Sequence, residues 1–103
     1  MPYINQDIRA KLDDTIDFLA LKIVEESKSD TDFGGILNYS VSRLVAKILI
    51  SKFDRLRYWH SPMIRGVLMD VADEFYRRIM IPYEDKQIDV NGDVDLFKEL
   101  IRK

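Results

Sequence analysis

The chain has no cysteine, one histidine and one tryptophan. Without cysteine there is no disulfide, no thiolate ligand and no thiol nucleophile, and a cytoplasmic location is expected over a secreted one. A single histidine excludes a multi-histidine metal site within one chain. No run of 18 apolar residues occurs, so no membrane span is expected, and the first residues lack the basic-then-apolar form of a signal peptide. Also missing are a Gly-rich phosphate loop, a nucleophile elbow, a His-Glu-x-x-His pair and EF-hand spacing.

What is present describes one ordinary globular domain over residues 1–103. The 103 residues are 47% hydrophobic and 33% charged, a composition far from that of disordered chains. A net charge of −2 argues against a nucleic-acid binder that uses its whole surface. The charge is uneven along the chain. Residues 1–30 hold seven acids and four bases, whereas residues 31–60 hold five bases and two acids.

Helical periodicity dominates. From about Asn5 to Ser27, residues Ile8, Leu12, Ile16, Leu19 and Ile23 share one face, with Asn5 or Asp7 as cap. Lys28 to Gly35 is polar, ends in a glycine pair and reads as a loop, from which Phe33 is expected to tuck against the core. A second helix from Ile36 to about Arg57 carries Leu37, Val41, Leu44, Val45, Ile48, Leu49 and Phe53. It leaves only a narrow polar strip. A helix apolar over most of its circumference is covered from two sides, here by other helices or by a second copy of the chain. Tyr58-Trp59-His60 forms the next link. Trp59 is expected to cap the end of the core, and His60 to be an exposed linker residue.

Ser61-Pro62 reads as an N-cap followed by proline in the first turn. Ile64, Leu68, Val71, Phe75 and Ile79 then fall within about 80° of arc at 100° per residue, the pattern of one buried stripe. Asp73–Arg77 and Glu74–Arg78 are acid-to-base pairs at i,i+4 on the outer face. Pro82 is expected to end this helix, because the residue before a proline is pushed away from helical geometry. Between Pro82 and Asp95 lies a polar segment, either a loop or a small hairpin turning at Asn91-Gly92. Asp95 then begins a short C-terminal helix with Leu96, Phe97, Leu100 and Ile101. The fold class expected is all-α, with a three-helix core.

Glu74-Phe75-Tyr76-Arg77-Arg78, Pro82-Tyr83-Glu84-Asp85-Lys86 and Asn91-Gly92-Asp93-Val94 resemble the C-terminal signature of an uncharacterised family of small phage and bacterial proteins. Gly35-Ile36-Leu37-Asn38-Tyr39 and Ser42-Arg43-Leu44 resemble its N-terminal block. The resemblance covers about half the chain and leaves out Trp59-His60 and the tail after Asp95. It implies no activity, but it marks Asn38, Tyr39, Arg43, Glu74, Tyr76, Arg77, Arg78, Tyr83, Glu84, Asp85, Asn91 and Asp93 as a functional surface.

Three functions compete. The first is a non-enzymatic helical protein acting through an interface, as a homodimer or an adaptor, with Tyr76, Tyr83 and Trp59 as natural contact residues and no cofactor. The second is a magnesium-dependent nucleotide-binding protein similar to the all-α nucleoside triphosphate pyrophosphohydrolases. It would use Asp14-x-x-Asp17 and Asp70-x-x-Asp73, with Arg77 or Arg78 gripping phosphate. Both acidic pairs project away from the apolar stripes, which leaves Asp70 and Asp73 as weak metal candidates. The third is nucleic-acid contact through Arg43, Lys47, Lys52, Arg55 and Arg57, which do not line up as one stripe. Self-association is the partner relation expected.

Overall fold

The computed structural model describes residues 2–103. Its helices are α1 (Gln6–Glu26), α2 (Phe33–Lys52), α3 (His60–Phe75), a π-helical turn (Tyr76–Met80), α4 (Ile81–Asn91) and α5 (Asp95–Arg102). The all-α class agrees with the sequence reading, and no strand occurs among the described residues. The chain divides into two compact units, one ending at Ile64 and the other Arg65–Lys103.

In the first unit, Asn5 caps α1 by accepting the Asp7 N–H at 2.7 Å. At the other end the Ser27 hydroxyl donates to the Ile23 carbonyl at 2.6 Å. The connection to α2 is a tied turn. Asp32 accepts the Lys28 N–H at 2.8 Å and the Ser29 N–H at 3.2 Å, while its own N–H reaches the Ser29 hydroxyl. Those bonds, the Lys28 one foremost, hold the Asp32 carboxyl below its ordinary pKa, because they favour the charged form. Gly34 and Gly35, expected in a loop, lie in the first turn of α2. Phe33 starts that helix and is 51% exposed, so it does not tuck into a core.

In the second unit Pro82 does not end the helical run. Ile81 keeps helical angles (φ −62°, ψ −51°), and its N–H bonds to the Tyr76 carbonyl five residues back. A proline ring normally collides with the carbonyl four residues earlier, here that of Arg78. Widening the preceding turn from i−4 to i−5 bonding makes room for the ring. The helix therefore passes Pro82 and runs to Asn91. The polar segment expected as a loop or hairpin is helix instead. Asn91-Gly92 signals a hairpin turn or a helix stop equally well, because both need a residue at positive φ. Gly92 has φ 89°, and its N–H closes on the Ile88 carbonyl at 2.8 Å.

No apolar side chain is buried among the described residues. Ile36, Val41, Val45, Leu49 and Phe53 on or just after α2 reach only half-burial. Within neither unit is a helix stripe buried, so the three-helix core expected from the periodicity is not confirmed. By length and composition α2 also meets the requirement for a membrane-crossing helix, which the sequence reading assigned to no segment. Arg43 and Lys47 stand near its middle, where a bilayer would charge each about 2.5–3.5 kcal/mol.

Candidate functional site

The π turn gathers part of the surface that the signature residues mark. Glu74 closes α3, and its half-buried carboxylate accepts from the Arg77 guanidinium. The spacing predicts that Arg77 reaches back to Asp73; it pairs with Glu74, three residues earlier. Eight residues along the chain from Tyr76, Glu84 accepts the Tyr76 hydroxyl at 3.4 Å. Eight residues of regular α-helix would leave these two side chains about 80° apart in projection. The wider turn changes that offset. The second unit thus holds a Glu74–Arg77 pair at the start of the turn and a Tyr76–Glu84 contact across it.

The other marked residues are dispersed. Tyr83 is 56% exposed on α4, and Asp85 is exposed beside it. Asn91 donates to Gln87 at 3.1 Å, and Asp93 accepts the Val94 N–H at 2.7 Å, so both serve the end of α4 and the link to α5. Asn38, Tyr39 and Arg43 belong to α2 in the first unit, where Asn38 accepts the Ser42 hydroxyl at 3.4 Å. Asp70 and Asp73 are exposed on α3. No group of three or more metal-capable side chains converges among the described residues.

The first unit holds a feature that the sequence reading placed wrongly. His60 is 1% exposed and is the one buried residue among those described. Its ring packs against Phe53 at 4.2 Å and Trp59 at 4.1 Å between centroids, and those two rings meet edge to face at 5.5 Å. The Arg57 N–H donates to Nδ1 at 2.8 Å, so in the neutral ring the proton sits on Nε2. That Nε2 is buried and has no hydrogen-bond partner among the described residues. Next to the stack is a recess of about 370 Å³, walled by Ala46, Leu49, Ile50, Phe53, Leu56 and His60. The available signal was local: two aromatic residues and a histidine directly ahead of Ser61-Pro62, within ring-stacking reach of Phe53.

A family model described as a domain of unknown function, DUF6899, matches residues 1–94. The chain belongs to DUF6899. The match ends just before Asp95, and it includes Trp59 and His60, which the sequence resemblance left out. No curated protein and no solved structure matches the chain. The DUF6899 match gives the chain its family and no activity.

Proposed function

We propose that this DUF6899 chain is a non-enzymatic helical protein, cytoplasmic and phage-related in setting, that acts through an interface and associates with copies of itself. One observation carries the reading: no apolar side chain is buried among the described residues. Ordering a chain costs roughly 1–2 kcal/mol per residue in backbone entropy, and apolar burial is the main term that offsets it. On this reading the helical core expected from the sequence is completed between copies.

Sedimentation equilibrium on the purified protein tests this. A mass of two or more chains at micromolar concentration is expected, with melting temperature rising as protein concentration rises. A monomer that unfolds cooperatively at a concentration-independent temperature would overturn it.

A further inference from the structure

Among the described residues His60 is the one side chain taken out of water, and it is held there by a reciprocal pair. The Arg57 N–H donates to its Nδ1 at 2.8 Å, and the His60 N–H donates to the Arg57 carbonyl at 3.1 Å. Phe53 and Trp59 pack against the ring. His60 is also the first residue of α3.

We infer that this turn is a proton-operated latch: the neutral His60 ring keeps it closed, and proton uptake at Nδ1 opens it, releasing His60 and Trp59 to water. An imidazolium has two N–H donors and no acceptor. A proton on Nδ1 would therefore meet the Arg57 N–H head on, while Nε2, which has no partner among the described residues, would stay unsatisfied. A buried charge without hydrogen bonds is costly. The helix adds to that cost, because the N-terminus of α3 is the positive end of its dipole. The charged neighbours do not offset it. Asp54 and Arg55 line the recess beside the ring, Arg57 holds Nδ1, and the Lys52 ammonium lies 5.8 Å over the Phe53 ring. Asp54 is the single acid of these four, and it is already bound to Arg57 at 2.9 Å. No residue of α1 lines the recess, and the next charged residue along α3 is Arg65. Aromatic faces attract a cation. Here, however, the Phe53 and Trp59 rings are tilted by 52° and 48° to the imidazole, and Phe53 already has Lys52 above it.

The open turn accepts a proton and the closed turn does not. The latch is therefore closed at neutral pH, and its contribution is lost as pH falls through the ordinary histidine range. With one proton involved, the ratio of open to closed turns should rise about ten-fold for each pH unit below that range. The latch belongs to a single chain and does not rest on the self-association proposed above.

Trp59 is the single tryptophan of the chain, so its emission reports on the latch. The test follows emission and NMR spectra of the full chain from pH 8 to pH 5, a window above the ordinary carboxylate range. A red shift with one-proton steepness is expected as pH falls, with the His60 ring and Arg57 amide resonances moving together and circular dichroism showing the helices retained. His60→Asn keeps an acceptor near the Nδ1 position and takes up no proton, so its emission should stay flat across the same window. A flat emission in the parent overturns the latch, as does proton uptake by His60 that leaves the Arg57 amide in place. An equal red shift in His60→Asn, or a loss of helicity in step with the parent's red shift, overturns it too. Should His60→Asn fail to fold, the parent's ring and amide resonances decide alone.

Discussion

The turn from Phe53 to His60 and the long faces of α1 and α2 solve burial differently. In eight residues, three rings stack closely enough to take one of them almost wholly out of water. Over the 21 residues of α1 and the 20 of α2, no side chain is buried. Rings adjacent in sequence can shield one another at little cost in chain entropy. A helix cannot cover its own stripe, because its residues at i, i+4 and i+7 all point the same way. The turn is finished by itself, whereas no side chain of the two helices is buried.

Breaking the open side of that contrast should have the largest effect. On an isolated helix, Leu44→Asp would change stability by no more than about 0.5 kcal/mol, as surface substitutions do. At a helix face covered by another copy it buries a charge, and a loss of about 3 kcal/mol or more is expected, together with dissociation. Urea unfolding at several protein concentrations separates the two values.

Breaking the closed side comes next. His60→Ala removes the acceptor of the Arg57 N–H and the central ring of the stack. A loss of about 1–3 kcal/mol is expected, with a shift in Trp59 fluorescence and no change in oligomeric mass. If the mass did change, the turn would belong to the interface and the contrast would blur.

Two smaller effects sharpen the picture. In Pro82→Ala the ring is gone and an N–H returns, so the widened turn should close, with the Ile81 N–H moving from the Tyr76 carbonyl to that of Arg77 and the Tyr76–Glu84 bond lost. A crystal structure of the variant reads this directly, and the stability change should stay within about 1 kcal/mol. The smallest effect concerns Asp32. Its carboxyl has a lowered pKa in the fold, so its contribution is fully present above the ordinary carboxylate value and is lost as pH falls through the lower, folded value. Melting temperatures measured from pH 5 to pH 2.5 should therefore fall less steeply for Asp32→Asn than for the parent. The substitution should leave the association near neutral pH intact.

Helices α1, α2, α3 and α5 were legible in the sequence because their apolar residues recur at helical spacing, whereas α4 was expected as a loop or hairpin. The cap at Asn5 was legible from capping chemistry, and the start of α3 near Pro62 from the proline, although the helix begins at His60 and Ser61, expected as its cap, lies inside it. Three features were not. Pro82 is a helix stop by every local rule, and only the i−5 bond from Ile81 to Tyr76 shows how the run continues. Asn91-Gly92 carries a demand for positive φ without saying which element ends there. His60 sits in a polar-looking link, and its burial depends on how Phe53 and Trp59 close around it. Within the marked surface, spacing paired Asp73 with Arg77 and Glu74 with Arg78, whereas the structure sets Arg77 against Glu74. The meeting of Tyr76 with Glu84 depended on the wider turn, which no spacing rule supplies.

The widened turn can also be viewed as an insertion. Bonding to the fifth residue back instead of the fourth accommodates one residue more than a regular helix needs, so the stretch Tyr76–Met80 contains one surplus position. Deleting a single residue there should leave the backbone helical, with the ladder closing around the gap. Every side chain beyond it would keep about its present direction relative to α3, because the wide turn already absorbs the roughly 100° that the extra residue would otherwise add. Glu84 and Tyr83 would face the same way as before, carried on a regular helix. A shortened chain of this kind would separate what the signature residues do from what the wide turn itself does.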